Sequence, residues 1–194
     1  IDLMGITTSF GNGSINEVFS ATGTLLHDLG REDIPLLKGE GERGQPPTDA
    51  ARYLAETAAS HPGAITLLAI GPVGNLRAAA ELDPDFFSHL KQIVCMGGYL
   101  HALDLPGWDD VPELNLASDP EAAFVVLNSP CTFTIMNAHI CLQAPFGLPE
   151  LAPIEGIDPE SYRIKRDYAI SRGPPPGPKG LHVGFASGRV YLVP

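Results

Sequence analysis

A chain of 194 residues has room for one sizeable hydrophobic core and too little for two independent ones. Its 44% apolar and 18% charged composition is ordinary for a globular protein, and no apolar run approaches the ~20 residues a bilayer span requires, which argues against a membrane role. The net charge of −11 argues against general nucleic-acid binding, where Lys and Arg must neutralise phosphates, and suits small neutral or cationic ligands.

Short apolar runs alternate with longer stretches of helical period, which predicts an α/β fold: an open, mostly parallel sheet flanked by helices. Leu3 to Thr8 is the first predicted strand, and it begins with neither the basic region nor the apolar stretch of a signal peptide. Ser14-Ile15-Asn16-Glu17 has the form of a capping box. It opens a helix with Ile15, Val18, Phe19, Thr22, Leu25, Leu26 and Leu29 on one face and Gly30 at its end. Ile34 to Leu37 reads as a second strand. Thr48 to Ser60 reads as an Ala-rich helix closed by Pro62 and Gly63, and Ala64 to Ile70 as a buried strand. Helical segments follow at Val73 to Leu82 and Pro84 to Leu90, then a strand from Gln92 to Met96. Ser118-Asp119-Pro120-Glu121 resembles another capped helix start, leading through Leu127 to a strand from Cys131 to Met136. Further on, Pro159 to Ser171 has the pattern of a helix, and Gly173-Pro174-Pro175-Pro176-Gly177-Pro178 reads as a connector.

Residues 1–194 are expected to form a single domain with a divergent C-terminal segment, 161–194, which is Pro/Gly-rich and basic. Residues 1–160 hold 22 acidic and 6 basic groups, whereas 161–194 hold 1 acidic and 6 basic. Cys95, Cys131 and Cys141 are odd in number and never at C-x-x-C spacing, so a reducing, cytoplasmic setting is expected, with the thiols as small buried hydrophobes.

In an open α/β sheet, ligands bind beyond the carboxyl ends of the strands. There the sequence offers Ser9-Phe10-Gly11-Asn12-Gly13, Gly71-Pro72-Val73-Gly74-Asn75, Met96-Gly97-Gly98 and Asn137-Ala138-His139. Glycines let backbone approach a ligand and amides offer neutral hydrogen bonds, a combination suited to a polyhydroxyl compound. Neither a dinucleotide fingerprint nor a Walker A loop is present. The connection from Tyr99 to Leu116 adds His101, Asp104, Trp108, Asp109, Asp110, Glu113 and Asn115. On an extended piece, Glu113 and Asn115 would alternate so as to point the same way and bind adjacent hydroxyls.

Five segments appear in one order. They are Gly5-Ile6-Thr7-Thr8 with Gly11-Asn12; Leu68-Ala69-Ile70-Gly71-Pro72-Val73-Gly74-Asn75-Leu76; Ile93-Val94-Cys95-Met96-Gly97-Gly98; Glu113-Leu114-Asn115; and Asp119-Pro120-Glu121-Ala122-Ala123. Together they resemble the inosine-uridine preferring nucleoside hydrolase family. The resemblance implies a Rossmann-like sheet and an N-ribosyl hydrolase that splits purine or pyrimidine nucleosides into ribose and free base. By the same resemblance, Asn12, Glu113 and Asn115 hold ribose hydroxyls, Met96 lies beside the sugar, and the backbone carbonyl of Gly74 is a calcium ligand where the family usually has Thr. Gly180-Leu181-His182-Val183 resembles a degraded form of the family's Leu-His-Asp segment. His182 then stands where a histidine assists the departing base, and Val183, which cannot bind a hard cation, replaces a calcium-binding aspartate. The family's Asp-x-Asp-x-Gly-x-Asp-Asp cluster, source of the general base and most calcium carboxylates, does not occur in these residues. Calcium is thus expected from the family while its site is incomplete here. The partner expected is a nucleoside or ribose, and, by analogy, a second copy in a homodimer or homotetramer. The alternative expectation is a non-catalytic nucleoside- or sugar-binding relative.

Overall fold

The computed structural model describes residues 2–11, 13–103, 112–143, 182–186 and 189–193, the last two stretches by their backbone alone. Its first elements are β1 (Ile6–Thr8), α1 (Ile15–Asp28), β2 (Leu36–Lys38), α2 (Asp49–Ser60) and β3 (Thr66–Ala69). They are followed by α3 (Gly74–Leu82), α4 (Phe86–His89), β4 (Gln92–Met96), α5 (Pro120–Leu127), β5 (Phe133–Met136), α6 (Ala138–Cys141), β6 (His182–Ala186) and β7 (Arg189–Val193). The predicted helix at 159–171 and the Pro-Gly run lie outside the described residues.

Helix starts follow their local chemistry. Ser14 caps α1 through its hydroxyl and Glu17 returns the bond to the Ser14 backbone, so the predicted capping box is present. Gly30, at φ 62°, turns the chain out of that helix. Thr48 caps α2 by accepting from Ala51 N. In the third capped start it is Asp119, not Ser118, whose carboxylate accepts from Ala122 N, with Pro at the first helical position.

The chain divides into two compact units. The first comprises Ile1–Gly98, Glu113–Met136 and Ala186–Gly188, and the second Tyr99–Pro112, Asn137–Phe185 and Arg189–Pro194. In the first unit, β3, β4 and β5 form a parallel sheet in that order, with Ala69 beside Cys95 and Cys95 beside Ile135. β1 and β2 form a separate parallel pair, in register from Ile6 with Leu36 to Thr8 with Lys38. Parallel strands joined through helices are the crossover arrangement that the alternating pattern predicts.

The core packs one face of β3 and β4 against α2, α3, α4 and α5. Ala51, Ala58, Val73, Ala78, Phe86, Ile93, Cys95 and Val126 lie at its centre. Small residues on α2 and α3 let those helices approach closely, and Phe86 fills the space beneath them with no solvent exposure. The strand expected to be buried throughout, Ala64 to Ile70, is only partly so. Successive side chains point to opposite faces: Leu67 and Ala69 enter the core, whereas Leu68 is 66% exposed. Of the cysteines, Cys95 is buried, and Cys131 and Cys141 are partly so.

The second unit contains α6 and most of the β6–β7 sheet. These two strands were not expected from the sequence, and His182 and Val183 lie in the first of them. Val183, Phe185, Val190, Tyr191 and Val193, with Ser187-Gly188 between the runs, carry that strand signal in retrospect.

Candidate functional site

β1, β2 and β3 release their chains toward one another. Thr8, the last residue of β1, has its carbonyl bound by Asn75 Nδ2 at 2.9 Å, and Ser9 Oγ donates to Pro72 O at 3.4 Å. Past β2, Glu40 N donates to Asn75 Oδ1 at 3.0 Å and Glu40 O accepts from Phe10 N at 2.8 Å. Among the described residues no backbone ladder joins β1 to β3. The 3% exposed Asn75 side chain makes the connection instead, giving both ends of its amide to backbone.

Beside β3, β4 ends at Met96, and Gly97 N extends the sheet by donating to Met136 O at 3.2 Å. Gly98 follows at φ 78°, a turn conformation that other residues adopt only at a cost. The segment that returns here does not run extended, contrary to the sequence expectation for Glu113 and Asn115. It closes a turn, because its backbone N–H groups find an acceptor at hand: Glu113 Oε1 accepts from Asn115 N at 3.0 Å, and Glu113 Oε2 accepts from Ala117 N. Asn115, 4% exposed, sends its Nδ2 to Met96 O at 2.9 Å and to Met96 Sδ at 2.9 Å. Any side chain at Gly97 would meet Glu113 Oε1 and Leu116, so the glycine lets the carboxylate lie against the strand exit. Burial pushes the Cys95 thiol up to about 11, and the Glu113 carboxylate adds to that shift.

Met96, Glu113 and Asn115 are therefore brought together, as a preorganised set of a half-buried carboxylate, a buried amide and a thioether. Such a set grips neutral hydroxyls, since a carboxylate accepts two of them and an amide oxygen a third. Gly74 is the first residue of α3, buried after the β3 exit. Asn12 lies outside the described residues, although its neighbours Gly11 and Gly13 belong to the β1 exit. His182 is the first residue of β6, in the second unit. Within that unit His101 and His139 meet, Nδ1 to Nε2 at 3.1 Å, and His139 Nδ1 accepts from Leu100 N at 3.4 Å.

The sequence reading missed a buried charge pair behind these loops. Arg77 Nη2 binds Glu40 Oε1 at 2.7 Å and Gln45 O at 3.2 Å, and Arg77 also pairs with Glu81 one turn along α3. Burial raises the Glu40 carboxyl above its usual range against the pull of Arg77, and Asp119 and Glu81 add to the rise. A cavity of about 360 Å³ borders Arg77, lined also by Gly44, Ala80, Glu81, Glu121 and Val125; it shares no residue with the Met96–Glu113–Asn115 cluster. Among the described residues no group of three or more His, Cys, Asp or Glu side chains is arranged to hold a metal ion. No described helix is long and apolar enough to cross a membrane.

Parallel strands with glycine- and amide-rich exits meeting at one edge, and a carboxylate and amide fixed there, define an α/β protein whose polar cluster lies at the carboxyl ends of its strands, where open sheets of this class bind ligands. The comparisons narrow that class: the family model for the inosine-uridine preferring nucleoside hydrolases matches residues 1–169, and the chain belongs to this family. Uridine nucleosidase 1 of Arabidopsis thaliana is 29% identical over 171 residues, covering 74% of this chain and 50% of that protein. The inosine-uridine preferring nucleoside hydrolase of Crithidia fasciculata is 27% identical over 193 residues, covering 84% of this chain and 60% of that one. A solved plant nucleoside hydrolase superposes with a TM-score of 0.63 at 27% identity, covering 73% of this chain and 53% of its own. The chain thus spans about half the length of the curated relatives it matches.

Proposed function

We propose that this chain carries the ribose-gripping edge of a ribonucleoside hydrolase, acting on the bond between ribose and a purine or pyrimidine base. The observation that carries this reading is the Met96–Glu113–Asn115 cluster, joined by hydrogen bonds at a strand exit. Cleavage of an N-ribosyl bond passes through a sugar with oxocarbenium character, so it gains from a fixed ribose and from negative charge near the ring. Glu113 serves both needs: its carboxylate is already oriented by two backbone N–H groups and keeps lone pairs for sugar hydroxyls. Asn115 contributes its carbonyl oxygen, since its amino group is committed to Met96. Asn12 would add a third polar contact from the β1 exit, Met96 would line the sugar, and His182 is the candidate for assisting the departing base.

Calcium, with the Gly74 carbonyl as one ligand, belongs to this reading through the family. Calcium needs six to eight oxygens, several of them charged, and the described residues do not form that cage. The binding and orienting steps above use only the chain's own side chains. A cytoplasmic, homo-oligomeric enzyme is the form proposed, on the few, odd-numbered cysteines without C-x-x-C spacing and on analogy respectively.

The test is release of free base from uridine, inosine and adenosine, measured with added calcium and with chelator. Base release that Glu113→Ala abolishes supports the reading. Nucleoside binding without turnover under both conditions would leave a non-catalytic binding relative, and no binding at all would refute the site.

A further inference from the structure

One residue fastens three strand exits. The Glu40 side chain is fully buried, its backbone N–H holds Asn75, its carbonyl holds Phe10, and its carboxylate is bound by Arg77 at 2.7 Å. The second carboxylate oxygen, Oε2, has no hydrogen-bond partner and lies where a side chain on Gly74 would have to go. The neighbouring Gly39 is closed in the same way by Thr8 O and the Asn75 amide. Burying a carboxylate with an unsatisfied oxygen is costly, and Arg77 offsets only part of that cost.

We propose that Glu40 is a positioning residue. Its carboxylate, anchored by Arg77, takes the volume that a side chain at position 74 would fill, and so sets where the Gly71–Asn75 turn sits against the exits of β1 and β2. The role rests on the nucleoside-binding reading above, because what it positions is that edge. Gly74 lies in helical backbone without positive φ. Elsewhere in a helix such a glycine would be improved by alanine, which makes the expected harm at this position diagnostic.

The test is a cycle of Gly74→Ala, Glu40→Ala and the double variant, read by melting temperature and by the uridine dissociation constant. Two controls accompany it: Glu40→Gln, which keeps the side-chain volume and an acceptor for Arg77, and Leu26→Ala, which removes a buried side chain on α1. Contact and positioning together predict strong non-additivity, with Gly74→Ala weakening uridine binding about tenfold or more and the double variant recovering most of that loss. Glu40→Gln should stay within about twofold of the unsubstituted protein, as should Leu26→Ala despite a lower melting temperature. Additive effects, or an equal loss of affinity in Leu26→Ala, would overturn the proposal. If the unsubstituted protein binds no uridine, the functional reading falls and the positioning role with it. The melting-temperature cycle then still reports whether Glu40 and Gly74 share one volume, so the two failures are told apart.

Discussion

The loops after β3 and after β4 leave neighbouring parallel strands at the same edge, yet they hold their polar groups in opposite ways. At the β3 exit the groups face inward: Asn75 on that loop and Glu40, which arrives from the β2 exit, are buried, each satisfied largely by backbone or by Arg77. After β4, Glu113 is half-buried and braced from behind by N–H groups, and Asn115 commits its amino group and keeps its carbonyl oxygen. The first arrangement fixes a scaffold; the second presents acceptors. The difference teaches that a strand exit can commit its polar groups to neighbouring backbone, as Asn75 does with both ends of its amide, or brace a carboxylate from behind and leave it half-buried at the edge, as at Glu113.

The largest effect is expected where the scaffold is cut. Arg77→Met leaves the Glu40 carboxylate buried without its partner and should destabilise the protein by about 3–5 kcal/mol in urea unfolding. A loss no larger than that of an exposed substitution would erase the distinction between the two loops. Asn115→Ala comes next. It removes the amide that binds Met96 and should cost roughly 1–3 kcal/mol in the same measurement, together with uridine affinity, because a gripping group goes with the structural one.

A smaller effect sharpens the scaffold side. Burial holds the Glu40 carboxyl above its ordinary value of 4.5, so the folded state binds this proton at a pH where the unfolded chain has released it. The contribution of Glu40 to stability should therefore fall as pH rises through the window just above 4.5, the reverse of a carboxylate stabilised by its partners. Across that window the melting temperature of the unsubstituted protein should fall relative to that of Glu40→Gln as pH rises. A rise relative to Glu40→Gln over the same window would contradict it.

Much of this was legible in the sequence, for local reasons. The capping box at Ser14 and Glu17 and the apolar alternation over Gln92 to Met96 are short-range signals, and both elements lie where they predict. The glycine- and amide-bearing strand exits were readable too, since turn chemistry is local. Glu40 and Arg77 were not, because they lie 37 positions apart and nothing near either names a partner. The one clue was Gly74, a glycine where the resemblance leads one to expect threonine; it marks a volume that another side chain has taken. The turn over 116–118 was not legible, because whether the Glu113 carboxylate accepts the N–H groups of Asn115 and Ala117 depends on how it seats against Gly97, which the local sequence does not show.

The central claim is that the β4 exit grips ribose. Calorimetric titration of the protein with uridine, repeated on Glu113→Gln with free uracil assayed in the same samples, tests it most directly. Saturable binding is expected, weakened about tenfold by the substitution, because the amide oxygen can still accept one of the two turn N–H groups while the charge and the second acceptor are lost. Equal binding by both proteins would contradict it and move the sugar to another edge of the sheet.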